Sequence, residues 1–280
     1  MPRLEDTAGP AARLVGLPLM VAPHRLGRML VQMKAASPGE AVAQLAGGKV
    51  YPVMAGVAVI RVSGVLVDKL GCVSGWGGYT GYDGLRVQVL GALADPEVRG
   101  VVLDIDSAGG MVAGLFDLVD DIERAKRAAG KPVWAILSEE AYSAAYAIAA
   151  VADRITIPRT GGAGSIGTMM MHVDLSAALT EAGIAVTLIH TGAHKVDCNP
   201  YEPLPAEVRD AIRAELEGVH QLFCATVGRL RRGAGLTAAA AAKTEARCLT
   251  GAEAVAAKLA DVVASPAQAM AAFLNELGRR

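Results

Sequence analysis

The chain has 280 residues, 52% of them hydrophobic and 20% charged, with 27 basic against 28 acidic side chains and a net charge of −1. That apolar content excludes an intrinsically disordered chain, and the length allows one large or two small domains around a sizeable core. Balanced charge removes any general electrostatic reason to bind nucleic acid or an anionic membrane, and 4% aromatic residues offer little for stacking single strands. Cys72, Cys198, Cys224 and Cys248 stand far apart, with no metal-ligand spacing among them, which reads as free thiols in a reducing compartment. Residues 1–9 carry Arg3, Glu5 and Asp6 and open no signal peptide. The apolar stretch 14–22 is broken by Gly16 and Pro18 and is shorter than the roughly 20 residues a membrane span needs. The expectation is a cytoplasmic protein with no membrane or nucleic-acid partner.

Residues 1–50 read as a preface of helical patches, interrupted by Pro10, Pro18, Pro23, Pro38 and the pair Gly47-Gly48. A β-branched run at 57–62 is the first buried strand. The Gly-, Ser- and Tyr-rich stretch 71–84 is a loop of mobile composition. Helical periodicity at 82–94 ends at Asp95-Pro96. A second strand covers 98–106, with a turn at 107–110 and a helix at 111–129 closed by Gly130. Further strands are expected at 132–137, 154–157 and 185–190, and helices at 141–152 and 175–182. An apolar run at 168–173 reads as more strand. From 205 onward the pattern is mostly helical, with 205–232 and 238–242 as its first helices. Strands alternating with helices imply an α/β protein with a mainly parallel sheet flanked by helices.

Three features could carry chemistry. The first is DIDSAGG, 104–110, where paired glycines between a strand and a helix can present backbone amides to an anion or oxyanion. A tight turn that needs small residues fits the same letters. The second, GAGSIG at 162–167, matches a dinucleotide fingerprint with Glu181 downstream. However, strand-like sequence follows it, where a phosphate-binding loop must lead straight into a helix. The third is Ser143, at the start of a small-residue helix, with Lys195 in the polar loop GAHKVDCNPY. A serine hydroxyl needs a base to become a nucleophile, and a lysine serves as base only in its neutral form. Taken alone, a helix-start serine is usually a cap and a lone lysine a solvated charge.

Several segments together resemble the signal-peptide-peptidase-A-like serine peptidases, and most closely the head-maturation proteases of lambdoid tailed phages. They are AVIRVSGVLV (58–67), GYTGYDGL (78–85), VVLDIDSAGGMVAGLFD (101–117), KPVWA (131–135), GSIGTMMMH (164–172), HTGAHKVDCNPY (190–201) and AEAVAAKLAD (252–261). The resemblance implies a crotonase/Clp-protease-like fold over residues 51–265, with a helical N-terminal preface at 1–50 and a helical C-terminal tail at 266–280. It implies a serine endopeptidase with a Ser/Lys dyad, in which Ser143 is the nucleophile and Lys195 the general base. Gly109, Gly110 and Ala144 fall where the family forms its oxyanion site, and neither metal nor cofactor is required. Implied substrates are phage capsid-assembly proteins, the scaffold, the portal and the chain itself, inside assembling proheads in the host cytoplasm. A homo-oligomer is implied too, for which Leu216, Val219, Leu222 and Phe223 offer an apolar surface. The same resemblance puts loop 71–84 near the substrate entrance.

Two residues depart from the family pattern: Ala108 stands where a proline usually precedes the glycines, and Ala144 follows the nucleophile where glycine is frequent. A Ser/His/Asp triad through His172 and Asp174 is a further possibility, against a strand-end histidine with satisfied hydrogen bonds. Alternatives for the whole chain are a cellular signal-peptide peptidase, an acyl-CoA hydratase or isomerase, and a non-catalytic assembly protein. The first usually carries an N-terminal membrane anchor, and the second has no use for GAHKVDCNPY.

Overall fold

The computed structural model describes residues 17–22, 49–71 and 78–280. In chain order the strands and helices begin with β1 (Leu19–Val21), β2 (Val53–Met54), β3 (Val57–Val67), β4 (Tyr79–Gly81) and α1 (Tyr82–Ala94). There follow β5 (Gly100–Met111), α2 (Leu115–Ala129), β6 (Val133–Tyr142), α3 (Ala144–Ala149), β7 (Arg154–Ile157) and β8 (Gly162–Gly164). The chain then forms α4 (Ser176–Glu181), α5 (Ala206–Leu230), α6 (Ala238–Ala242), β9 (Cys248–Thr250), α7 (Gly251–Ala256), β10 (Val262–Val263) and α8 (Pro266–Gly278).

The main sheet has the order β10-β7-β6-β5-β3-β2. All neighbours in it are parallel except β2, which closes one edge antiparallel to β3. Both faces are covered, which is why β5 and β6 read as continuous apolar runs rather than alternating ones. Val101, Leu103 and Ile105 of β5 face a core shared with Leu85 and Val89 of α1, Leu118 and Ile122 of α2, and Tyr146 of α3. Val102, Trp134 and Ile136 face the other way, against Ala269, Phe273 and Leu277 of α8. Residues 266–280, the expected tail, thus supply one layer of packing, with the Trp134 and Phe273 rings 5.1 Å apart.

Several boundaries differ from the sequence expectations. Residues 19–21 of the expected helical preface form a strand, and 1–16 and 23–48 lie outside the described residues, as do 72–77 of the loop at 71–84. The turn expected at 107–110 is strand: β5 continues to Met111, held by Val65 and Leu66 of β3 on one side and by β1 on the other. Helix α2 accordingly starts at Leu115, behind a left-handed Gly114. Of the run 168–173 only Met169 pairs, in an isolated bridge to Leu19. Residues 185–190 form no strand, because nothing in the described chain lies alongside to pair with them. Ile189 is 95% exposed there. Phe223, counted as part of a surface for partners, is fully buried and meets Phe116 edge-on at 6.2 Å. Leu222, next to it, is the exposed one.

The sheet forks at its carboxyl end. Register shifts fall between Ser63 and Val65 on β3 and between Ile105 and Ser107 on β5. Beyond them, residues 140–142 of β6 take β8 on the edge that β7 has left, with Ala141 still opposite Ser107 of β5, and β8 in turn pairs with β9. On the other branch, residues 109–111 of β5 take β1 as their neighbour. Bulges of this kind end regular pairing and re-aim side chains, frequently beside active sites.

Candidate active site

Ser143 stands at this fork, between β6 and α3. Its φ of 54° and ψ of −118° are unusual for a residue with a side chain. Such conformations cost about 1–3 kcal/mol and cluster at functional sites, where surrounding contacts impose them. Here the Ser143 amide donates to the Gly164 carbonyl at 2.7 Å, and its own carbonyl accepts from the amides of Tyr146 and Ala147. The residue is fully buried, and its Oγ donates to the Gly167 carbonyl at 3.4 Å, a long contact that leaves the hydroxyl weakly committed. The geometry is a sharp strand–serine–helix turn, with the small side chains of Ala144 and Ala145 admitting α3 into the core.

Gly109 is brought against the residue before Ser143, and Gly110 against β3. A Cβ on Gly109, whose φ is +106°, would lie 3.0 Å from the Tyr142 carbonyl, the residue before Ser143. One on Gly110 would lie 1.9 Å from the Leu66 carbonyl, so this strand can approach β3 only as glycine. The Gly109 amide donates to Ser107 Oγ at 3.2 Å, and that hydroxyl donates to the Gly64 carbonyl at 2.6 Å. Ala144 provides the first amide of α3, one of the helix-start donors that have no intrahelical acceptor. β5, at Gly109, and the first turn of α3 therefore both border the turn that carries Ser143.

GAGSIG is explained by packing. Gly162 and Gly164 pair β8 with β6, and a Cβ on Gly162 would meet the Tyr142 hydroxyl at 1.8 Å. No helix follows until Ser176, so the loop offers no helix N-terminus to a pyrophosphate.

Lys195 lies exposed in the turn-rich segment 191–198, and no hydrogen bond joins its side chain to that of Ser143. Its loop is ordered by Asn199, which donates to the Val196 carbonyl and to Glu202, accepts from the Tyr201 amide, and presents its own carbonyl to His172 Nε2 at 3.0 Å. His194 Nδ1 meets Asp197 at 2.9 Å. His172 is thus engaged with Asn199, while Asp174 is bonded to Ser176, whose side chain and amide hold the Asp174 carboxyl below its ordinary range. No Ser/His/Asp relay is assembled from them. Among the described residues no group of three His, Cys, Asp or Glu side chains could hold a metal, and no helix is long and apolar enough to cross a membrane.

Residues 125–278 match Peptidase family S49. The chain belongs to this family. The match includes Ser143, Ala144 and Lys195 and begins after the Gly109-Gly110 pair. Among curated relatives, the head-tail preconnector protein GP5 of Enterobacteria phage P21 is 41% identical over 237 residues, covering 83% of this chain and 46% of that protein. The capsid assembly protease C of Escherichia phage lambda is 39% identical over 230 residues, covering 82% and 51%. The S49 chain therefore spans about half the length of these relatives. A solved enoyl-CoA hydratase/isomerase family member aligns over 82% of this chain and 76% of its own, at 17% identity and a TM-score of 0.45.

The sequence reading missed one component. Residues 19–22 lie at the fork, hydrogen-bonded to Ala108 and Met169. The signal was present: an apolar quartet between Pro18 and Pro23, a length suited to a short strand rather than to a helix.

Proposed function

We propose that this S49 chain is a serine endopeptidase that processes phage capsid-assembly proteins, scaffold, portal and its own chain, during head maturation in the host cytoplasm. The observation that carries the reading is Ser143, held at positive φ where Gly109 packs against the preceding Tyr142 carbonyl, in an S49 member similar to a capsid assembly protease. Ser143 Oγ attacks the peptide carbonyl carbon while its proton passes to neutral Lys195 Nζ. Amides of the Gly109/Gly110 strand and Ala144 receive the oxyanion. Collapse breaks the C–N bond, the leaving amine takes the proton back from Lys195, and water repeats the sequence on the acyl-enzyme. No metal or cofactor takes part.

Lys195 reaches Ser143 only on assembly with further copies of the chain. Support for this comes from the segment around it, which exposes Val173, Leu175, Ile184, Val186, Ile189 and Tyr201 without a covering element. Apolar surface of this kind, next to an incomplete dyad, is what a second subunit buries.

The test is a variant series on the full chain, with peptide hydrolysis and fluorophosphonate labelling as readouts. Ser143→Ala abolishes both. Lys195→Ala and Lys195→Arg abolish hydrolysis, because a guanidinium does not release its proton near neutral pH. His172→Ala keeps substantial activity. Normal cleavage by Lys195→Arg, or a His172→Ala as inactive as Ser143→Ala with its fold intact, refutes the dyad. Light scattering across a concentration series reads the assembly, and a persistent 28.7 kDa monomer refutes it.

A further inference from the structure

The fork of the sheet is filled by a piece of this chain. β1 runs antiparallel to β5, with Leu19 opposite Met111, Met20 opposite Gly110 and Val21 opposite Gly109. Its other edge is bonded to Met169: amide to carbonyl in both directions between Leu19 and Met169, each at 2.8 Å. The Ala22 amide donates to the Ala108 carbonyl at 3.0 Å. Leu19, Met20 and Ala22 are fully buried. A peptide whose carbonyl is to reach Ser143 and the Gly109/Gly110 strand together has to run along this edge of β5. That edge is taken.

The hold on it is short. Pro18 and Pro23 bound the segment, and proline has no amide with which to extend a ladder. Leu19 and Val21 pack with Val65 and Tyr79, and with Val67 and Met111 partly buried against them. Met20 enters the main core instead. The Tyr79 hydroxyl in that cluster is buried and has no hydrogen-bond partner among the described residues. Buried polar groups are nearly always satisfied. The resident strand therefore fills the apolar space while leaving one polar group unserved.

We infer that 19–22 is a resident occupant of the peptide-binding cleft, and that substrate enters only when this strand is displaced. The inference rests on the reading of Ser143 and Gly109/Gly110 as the catalytic site, which is what makes this edge a substrate edge. The ligand class follows from the strand. It is an extended peptide, bonded through its main chain on both edges, with apolar side chains at alternate positions and an acceptor for Tyr79.

The test locks the strand. Leu19 and Met169 are bridge partners, and Cα atoms of such hydrogen-bonded antiparallel pairs stand about 5.5 Å apart, within disulfide range. In full-length Leu19→Cys/Met169→Cys, oxidation lowers fluorophosphonate labelling of Ser143 and peptide hydrolysis at least about tenfold, because only the open fraction reacts, and reduction restores both. The parent chain given the same oxidant keeps its rates. Equal rates in the locked and reduced forms, with the cross-linked peptide confirmed by mass, overturn the inference.

A second measurement does not depend on catalysis. In full-length Ser143→Ala, a fluorescent peptide Leu-Pro-Leu-Met-Val-Ala-Pro binds at least about tenfold more tightly once Leu19→Asp and Val21→Asp weaken the resident strand. Equal binding with and without those changes, or none to a weakened chain that unfolds cooperatively, also overturns it. If Ser143 stays unlabelled in every form while peptide binding responds as stated, the nucleophile assignment fails and the occupancy of the cleft stands.

Discussion

Replacing Gly110 by alanine perturbs the one place where β3 and β5 touch without room for a side chain. The added Cβ would lie 1.9 Å from the Leu66 carbonyl oxygen and 2.6 Å from its carbon, where ordinary contact begins at 3.4 Å. Both neighbours are backbone in paired strands, so no flexible side-chain end can move aside. The strands must separate locally by roughly the shortfall, which strains the core as overpacking does, at about 1–3 kcal/mol. Separation also breaks one or two ladder hydrogen bonds at Leu66 and Val65, at about 1 kcal/mol each. The expected loss is about 2–5 kcal/mol, or roughly 5–15 °C in midpoint for a chain of this size. Gly130→Ala is the control: it too is a glycine, left-handed at +63°, but nothing lies within 4 Å of its added Cβ. Its cost is the backbone term alone, about 1–2 kcal/mol. Urea unfolding of the two variants measures the contrast, and fluorophosphonate labelling should slow in Gly110→Ala while Gly130→Ala labels like the parent. A Gly110→Ala chain as stable as Gly130→Ala refutes the close-approach argument.

Other perturbations separate further elements of the fold. Asp261 binds Arg231, which is 3% exposed, at 2.7 Å and accepts from the Ile155 amide, so Asp261→Ala strands a buried guanidinium and should cost about 3–5 kcal/mol in chemical denaturation. Burial by itself would raise the Asp83 carboxyl, but amides of Leu70, Gly71 and Gly84 outweigh it and hold the group below its ordinary value of 3.8. A carboxylate depressed in the folded state stabilises above its unfolded pKa and loses that contribution as pH falls through the folded value. The stability gap between the parent and Asp83→Asn should therefore be full at neutral pH and close as pH is lowered below 3.8 in a series of thermal scans. Phe223→Ala should lose about 3–5 kcal/mol through the cavity it leaves, whereas Leu222→Ala, at an exposed neighbour on the same helix, should stay within about 0.5 kcal/mol.

Elements whose partners lie nearby in sequence, or whose stop signals are chemical, were legible. The helix at 82–94 ends where Asp95-Pro96 forbids continuation, and Arg154–Ile157 is a strand bounded by turn residues on both sides. What periodicity does not contain is the identity of the neighbour. Residues 105–111 read as strand then turn, because glycine is weak in strands; here the close approach of Leu66 and β1 demands glycine and keeps the chain extended. Residues 185–190 have the composition of a buried strand and lie unpaired on the surface, since composition records an apolar segment and not which neighbour lies beside it. At the site, Ser143 could be singled out by its position before a small-residue helix. Its positive φ could not, because that arises from Gly164 and the register shift of β6, contacts set far along the chain.

The strained serine and the forked sheet have one cause. A regular parallel sheet would carry β6 alongside β5 to its end and leave Ser143 inside an ordinary strand–helix turn. Past the shift between Ile105 and Ser107, β6 instead lies between β5, at Ser107, and β8, whose glycines let it close on Tyr142. The Gly164 carbonyl then takes the Ser143 amide, while α3 starts at once and takes its carbonyl. Those bonds on both sides of one residue oppose the relaxation that an unconstrained backbone would make. Because β6 ends at Tyr142, its last pair with β5 being Ala141 opposite Ser107, residues 109–111 have no β6 neighbour on that side, and their amides and carbonyls open beside the serine. Unpaired strand edges recruit other strands. The end of β6 at Tyr142 therefore both sets the turn that carries the hydroxyl and creates the edge where the chain's own residues 19–22 lie.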